Sequence, residues 1–185
     1  MASYDQQIYD AAIGEGFSSS AAKLIVAQAR LESKDYGSNV FNNNFNMFGM
    51  KYVGQPLASR GTAAPSSEQT CNLNCNSDYY AKYTNPSDSA KDLVGRLYKK
   101  TRNGIGFNEL KDVSDPYDFA NKLKARNYYG TNVTAQQYGN SLKAKLLKVQ
   151  VLEWVRNNPK STIFAALVAL GLGIYLAVVI KRNIK

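Results

Sequence analysis

One segment near the C-terminal end most limits what this chain can fold into. Residues 162–180 (TIFAALVALGLGIYLAVVI) form a run of 19 with no charged side chain. As a helix this run spans roughly 28 Å, close to the hydrocarbon thickness of a bilayer. Basic residues flank it at Lys160, Lys181 and Arg182, which argues against a helix buried in a protein core. The sequence therefore predicts a single transmembrane helix at residues 162–180.

The other boundaries follow from this segment. Asn157, Asn158 and Pro159 break any preceding helix, so we expect a globular domain at residues 1–156 and a linker at 157–161. A basic tail occupies residues 181–185. The first residues lack a basic stretch followed by an apolar one, so we expect no signal peptide.

Charge and composition exclude several classes of protein. The net charge of +9 suits an anionic partner, such as acidic lipid, teichoic acid or peptidoglycan. No run of five basic residues is present, and the tyrosines form no RNA-binding signature, so we expect no nucleic-acid partner. The chain has no histidine, which excludes Ser-His and Cys-His nucleophiles. Two cysteines, Cys71 and Cys75, are too few for an ordinary zinc site, and we expect no cofactor.

The pattern of apolar and punctuating residues predicts a mostly helical α+β domain with one small β element. Two short strands are expected at Met47–Val53 and Asp78–Thr84, and a polar, Asn-rich loop is expected before the first. The Gly-, Pro- and Ser-rich stretch between the strands is expected to form a hairpin or flap. Helices are predicted at residues 4–13, 18–33, 88–100 and 115–126, and from residue 134 onwards.

A glutamate on the apolar side of the second predicted helix is the first candidate for chemistry. At about 100° per residue, Glu32 falls between Leu24 and Ile25 on the arc that also carries Gln28 and Leu31. The acid therefore faces the core or a cleft beside it. Burial and the nearby helix C-terminus both disfavour its charged form, so we expect a raised pKa, as a glycosidase acid needs. A pairing of Glu32 with Arg30 or Lys34 is the structural alternative.

The residues around Glu32 resemble a known enzyme family. Ala27–Ser33 (AQARLES), Gly37–Ser38 and Asn46–Lys51 (NMFGMK) are similar to the signature of the endo-β-N-acetylglucosaminidases of glycoside hydrolase family 73. These enzymes are lysozyme-like and cut peptidoglycan. Weaker similarities follow in order at Ser67–Glu68, at Tyr80–Ser87, and at Tyr129–Thr131 with Tyr138. The resemblance covers residues 8–147, and it implies a lysozyme-like domain with a small β-hairpin flap.

By this resemblance, Glu32 is the general acid, and Glu68 on the flap is the candidate second carboxylate. The alternative is substrate assistance by the acetamido group of the sugar, which Tyr129 would hold. The substrate-binding candidates are Gln28, Asn46, Phe48, Gly49 and Tyr128, and no metal ligand is expected. For Phe48, we favour a place in the core under the β element over a direct contact with substrate. The chain departs from the family in its longer turn, Lys34–Tyr36, and in the cysteine pair of the flap, which forms either a disulfide or two thiols.

The resemblance implies a peptidoglycan hydrolase that cleaves the β-1,4 bond between N-acetylglucosamine and N-acetylmuramic acid. A muramidase, a lytic transglycosylase and an inactive glycan-binding or assembly protein are the alternatives. The expected partners are glycan strands, membrane lipid and neighbouring virion or membrane proteins. A single-pass anchor of this kind is similar to those of virion-associated lytic enzymes of membrane-containing bacteriophages. The virion membrane is thus the expected location, with the bacterial inner membrane as the alternative.

Overall fold

A computed structural model of the chain describes residues 3–69, 76–99, 107–126 and 128–157. The chain divides into two compact units, residues 1–149 and residues 150–185. The described residues contain six α-helices and one two-stranded antiparallel sheet. The expected mostly helical class with a small β element is therefore confirmed.

The first two helices place Glu32 at the edge of the core. Helix α1 (Tyr4–Gly14) and helix α2 (Ser19–Glu32) pack against each other, and each begins at a serine whose hydroxyl caps a backbone N–H. Helix α2 is buried around nearly its whole circumference, by residues Ala21, Ala22, Leu24, Ile25, Val26, Ala27, Gln28 and Ala29. Because Glu32 is the last residue of this central helix, its side chain lies where the core ends.

A short helix, α3 (Asn39–Asn44), lies where the sequence predicts a polar loop, so that prediction is wrong. The Ser38 hydroxyl caps the helix by accepting from the Phe41 N–H, and the Phe41 ring is buried in the core. Phe45 then ends the helix in a left-handed conformation, with φ of 48°. A cap and one buried aromatic ring thus outweigh the low helix propensity of asparagine.

The sheet is a hairpin of strands β1 (Ser59–Ala63) and β2 (Tyr79–Lys82). Strand β2 lies within the predicted Asp78–Thr84, but the strand predicted at Met47–Val53 is wrong. Of that segment only Lys51 bridges to Tyr80, and β1 comes from the stretch expected to be the flap. The reason is the Asn46 side chain, which binds the backbone of Met50, closing residues 46–50 into a loop, and also donates to the carbonyl of Ala81 in β2.

The second half of the domain is helical as predicted. Helix α4 (Pro86–Lys99) packs against α1. Helix α5 (Pro116–Ala125) begins at Asp115, whose carboxylate accepts from the N–H groups of Tyr117 and Asp118, with proline at the first helical position. Helix α6 (Ala135–Asn157) completes the set. Helices α5 and α6 matter for the site because α6 contacts the end of α2, and the loop between α5 and α6 packs against Tyr138 of α6.

Within the described segments, no helix has both the length and the apolar character needed to cross a bilayer. The predicted membrane segment, Thr162–Ile180, lies outside those segments, as do the cysteines Cys71 and Cys75.

Candidate active site

Glu32 is half-buried and is held by a tyrosine that is distant in sequence. Its Oε1 accepts a hydrogen bond of 2.6 Å from the hydroxyl of Tyr138, on the first turns of α6. Tyr138 itself is only 7% exposed, so its hydroxyl points from the core toward the acid. The alternative expectation, in which Arg30 pairs with Glu32, does not match the structure, because Arg30 binds Asp5 and Asp35 instead.

The surroundings of Glu32 favour its protonated form. Burial raises the pKa of this carboxyl, and the hydrogen bond from Tyr138 lowers it by a smaller amount, so the net shift is upward. Since Tyr138 donates to Oε1, the proton of the neutral acid resides on Oε2. The acid can therefore donate from Oε2 while Oε1 stays fixed, and the same tyrosine stabilises the carboxylate that remains.

The ring of Tyr129 packs against the ring of Tyr138, on α6. The two rings stack with centroids 4.2 Å apart and planes 11° from parallel. The Tyr129 hydroxyl donates to the backbone carbonyl of Ala120, 2.9 Å away, which ties the ring to α5. The Lys124 ammonium holds the same loop by donating to the carbonyls of Gly130 and Val133. The geometry thus gives Tyr129 a positioning role, and its predicted contact with the sugar stays a prediction.

The sequence places Tyr138 in a motif of the family and predicts no role for it beside Glu32. The two residues are 106 positions apart, so no local pattern could have joined them. One signal for this role was available in the sequence. Tyr138 is the tyrosine of the last motif block, and it occupies a buried position where a phenylalanine, which has no hydroxyl, would pack equally well.

Glu68, the second predicted carboxylate, has the opposite environment. It ends a short 3₁₀ turn, Ser66–Glu68, and its side chain is about half exposed. Its Oε2 accepts from the Lys51 ammonium and from the Tyr80 hydroxyl, each at 2.8 Å. These two donors hold the pKa of Glu68 below its ordinary value. Glu68 is therefore an ionised carboxylate beside the hairpin at neutral pH.

Three of the predicted substrate-binding residues are buried. Gln28 is fully buried in α2, and Phe48 lies in the core cluster with only 6% of its surface exposed. Asn46 donates to the carbonyls of Met50 and Ala81 and accepts from the Met50 N–H, so its amide organises the loop and joins it to β2. In this structure these side chains support the site, and their contact with substrate stays a prediction.

The remaining two candidates lie nearer the surface. Gly49 has φ of 65°, a left-handed conformation that favours glycine, and a Cβ built on it meets no atom within 4 Å. Its backbone therefore faces open space, which a sugar could approach. Tyr128 is half-buried against the core, and its N–H donates to the carbonyl of Leu123. Among the described residues, no three His, Cys, Asp or Glu side chains cluster closely enough to hold a metal ion.

Comparisons with known proteins identify the family and the fold of this chain. Residues 11–150 match the glucosaminidase family, described as mannosyl-glycoprotein endo-beta-N-acetylglucosaminidase. Among curated proteins, none matches the chain significantly.

Two solved structures share the fold. One is a type VI secretion system effector-immunity complex from Pseudomonas protegens, with a TM-score of 0.53, 19% identity, and coverage of 80% of this chain and 86% of that chain. The other is the catalytic domain of the autolysin Auto from Listeria monocytogenes, with a TM-score of 0.51, 19% identity, and coverage of 83% and 89%. The family match spans most of the chain, including Glu32 and Tyr138, and the chain therefore belongs to the glucosaminidase family and is a glycoside hydrolase of the endo-β-N-acetylglucosaminidase type.

Proposed function

We propose that this protein hydrolyses peptidoglycan, cutting the β-1,4 bond between N-acetylglucosamine and N-acetylmuramic acid. The observation that carries the proposal is the opposite tuning of two glutamates. Burial raises the pKa of Glu32, and contacts with Lys51 and Tyr80 lower the pKa of Glu68. A glycosidase that uses two carboxyls needs one of them protonated and the other ionised, and environments that separate the two pKa values supply this pair.

In this proposal Glu32 is the general acid. Its Oε2 gives a proton to the glycosidic oxygen as the bond to the anomeric carbon breaks, and Tyr138 stabilises the resulting carboxylate through Oε1. Glu68 stabilises the positive charge on the sugar ring or takes a proton from the attacking water. The exposed position of Glu68 beside the hairpin supports a role that begins when the glycan strand is bound.

The family match supports cleavage next to N-acetylglucosamine, and peptidoglycan is the proposed polymer. The autolysin with the same fold is consistent with a wall substrate. A muramidase or a lytic transglycosylase on this scaffold, or an inactive glycan-binding protein, would use the same fold with a different product or with none.

We further propose that the enzyme is tethered to a membrane by residues 162–180 and acts locally on the wall during phage entry or release. The uncharged apolar sequence of that segment and the basic residues around it support this setting. The bacterial inner membrane is the second setting that this sequence supports. Flotation of the full chain with liposomes, compared with a chain carrying two lysines inside residues 162–180, tests the tether, and equal flotation of both chains contradicts it.

The product of the reaction tests the proposed function. The full chain in detergent, beside its Glu32→Gln variant, is incubated with purified peptidoglycan, and the released fragments are reduced and identified by mass spectrometry. We expect reducing-end N-acetylglucosamine from the wild type and none from the variant. Asp118→Asn, a carboxylate-to-amide change at an exposed pair with Lys122, is the matched control and should match the wild type.

The alternatives give other results in the same experiment. Reducing-end N-acetylmuramic acid identifies a muramidase, and an anhydro-muramic end identifies a transglycosylase. A folded protein that binds the polymer and releases nothing from several wall types is the inactive binder.

A further inference from the structure

The turn that follows Glu32 has an unusual backbone. Lys34, Asp35 and Tyr36 have φ values of 53°, 56° and 67°, so three successive residues other than glycine adopt the left-handed conformation. Such a conformation is unfavourable for residues with a Cβ, and it persists only where surrounding contacts impose it. This is also the turn that is longer in this sequence than in the family signature.

Backbone contacts fold this turn onto the end of α2. The N–H of Asp35 donates to the carbonyl of Arg30 at 2.7 Å, and the N–H of Ser38 donates to the carbonyl of Ser33 at 2.8 Å. The Ser33 hydroxyl also accepts from the N–H of Tyr36. These bonds close the turn onto the end of α2.

The carboxylate of Asp35 joins two helices. One oxygen accepts from the Arg30 guanidinium at 3.1 Å, and the other accepts from the ammonium groups of Lys145 and Lys148 on α6 at 2.7 Å and 3.2 Å. These cations lower the pKa of Asp35 to about 2, so it is ionised at any pH where a hydrolase works. Arg30 is fixed in turn by Asp5 of α1, which also accepts from the Tyr36 hydroxyl.

The position of Lys145 connects this junction to the acid. Lys145 follows Tyr138 by seven residues, which is about two helical turns, so both side chains lie on the same face of α6. Helix α6 therefore touches the end of α2 at two points, Tyr138 on Glu32 and Lys145 on Asp35.

We propose that Asp35 is a positioning residue, which holds α6 against the end of α2 so that the Tyr138 hydroxyl reaches Oε1 of Glu32. This rests on the proposed function of Glu32 as the general acid. Among the described residues, the titratable group that contacts Glu32 is Tyr138 from α6, with Tyr129 stacked on its ring. Arg30 of α2 is bound to Asp5 and Asp35. Lys145 and Lys148 from α6 are bound to Asp35.

The sign of a pH shift separates positioning from a simple charge effect. If Asp35 positions Tyr138, its loss weakens the hydrogen bond that lowers the pKa of Glu32, and the alkaline limb of the activity profile moves to higher pH. If Asp35 acts only as a nearby negative charge, its removal favours ionisation of Glu32, and the limb moves to lower pH.

The test compares full-length Asp35→Asn, Lys145→Met, Tyr138→Phe and the double variant Asp35→Asn/Tyr138→Phe with the wild type. Asparagine tolerates the left-handed conformation, so Asp35→Asn removes the charge and leaves the turn. We expect Asp35→Asn to lower kcat about 10- to 100-fold with KM nearly unchanged, as small misplacements of catalytic groups do. Its alkaline limb should move upward, in the same direction as for Tyr138→Phe, and the double variant should be little worse than the worse single one.

An unmoved or lowered limb in folded Asp35→Asn, or losses that multiply in the double variant, would overturn the proposal. Lys145→Met breaks the contact from the other side, but loss of its positive charge also moves the limb upward. If Asp35→Asn does not fold, the double variant Lys145→Met/Tyr138→Phe decides the matter: losses in kcat that multiply would overturn the proposal, and a double variant little worse than the worse single one would support it. Asp118→Asn controls for the loss of an exposed aspartate. Titration of the Glu32 carboxyl by NMR compares the same variants without any need for turnover. An inactive wild type would contradict the proposed function, and the NMR titration would still test whether Asp35 positions Tyr138.

Discussion

Glu32 and Glu68 are chemically the same, and the structure gives them opposite surroundings. Glu32 ends a buried helix and accepts a hydrogen bond from one hydroxyl, that of Tyr138. Burial of the carboxyl outweighs this hydrogen bond, so its pKa is raised. Glu68 is about half exposed and accepts hydrogen bonds from the Lys51 ammonium and the Tyr80 hydroxyl. These bonds outweigh its slight burial, so its pKa is lowered. At the residue scale, the division of roles between the two glutamates depends on a few neighbouring atoms.

Tyr138→Phe tests the contact to Glu32. The acid is active when protonated, so activity is lost as the pH rises through the pKa of Glu32, and Tyr138 lowers that pKa by stabilising the carboxylate. Without the hydroxyl the pKa rises, and we expect the alkaline limb of kcat/KM to move to higher pH. We also expect kcat to fall about 10- to 100-fold, because a hydrogen bond to a charged group contributes about 1.5–3 kcal/mol.

The control for this change is Tyr117→Phe, which removes an exposed hydroxyl bound to Asn140 and should alter neither quantity. A Tyr138→Phe enzyme with an unchanged pH profile would show that the contact does not tune the acid.

At the scale of elements, hydrogen bonds of Asn44 connect the hairpin to α3. Its side-chain amide donates to the Thr62 hydroxyl at 2.8 Å and accepts from the Thr62 N–H at 3.1 Å, and its carbonyl accepts from the Tyr83 N–H. Gly61 lies where these elements meet, and a Cβ built on it would lie 2.4 Å from Oδ1 of Asn44 and 2.8 Å from the carbonyl oxygen of Tyr80. Glycine at 61 is therefore required by close packing.

We expect Gly61→Ala to destabilise the fold by about 1–3 kcal/mol, the usual cost of overpacking, and to lower activity because the hairpin beside Glu68 shifts. Gly95→Ala in α4 is the matched control, because its new Cβ meets only Glu15 at 3.7 Å. Helix propensity then favours alanine by about 0.8–1 kcal/mol. Thermal melts of the two variants should move in opposite directions, and similar destabilisation of both would contradict the packing argument.

The elements that could be predicted are those whose signals are local. Helix α2 was predictable from its apolar residues and the Ser18 cap, and α5 from Asp115 and Pro116. The strand expected at Met47–Val53 is a loop because the Asn46 amide binds Met50 and Ala81, and the second of these lies 35 residues away. The partner of Glu32 was not predictable for the same reason, because proximity of Tyr138 depends on how α6 packs.

At the scale of the whole molecule, Glu32 lowers the stability of the fold at alkaline pH. Because the pKa of Glu32 is raised in the folded state, the folded protein keeps its proton to a higher pH than the unfolded chain does. The contribution of Glu32 to the free energy of unfolding is therefore fully present below the ordinary pKa of glutamate. It is lost as the pH rises through the raised pKa of the folded state. An ionised, half-buried Glu32 is then present at alkaline pH, as expected where a site is tuned for chemistry.

Glu32→Gln should remove this pH dependence. We expect the variant to melt above the wild type at pH 8 and at nearly the same temperature at pH 4, because the folded wild type carries an ionised, half-buried Glu32 only at the higher pH. The difference between the two melting curves across this range is the measurement. A variant that is equally destabilised at both pH values would show that Glu32 supports the fold.

The most direct test of the whole account is the titration of its two carboxyls. The chain has five glutamates, so ¹³Cδ-glutamate labelling gives five carboxyl resonances, and the Glu32→Gln and Glu68→Gln variants assign the two that matter. The account predicts that Glu32 titrates above the ordinary glutamate range and Glu68 below it, in the same sample. A Glu32 midpoint at or below that of Glu68 would contradict the assignment of acid and ionised partner on which the proposed mechanism rests.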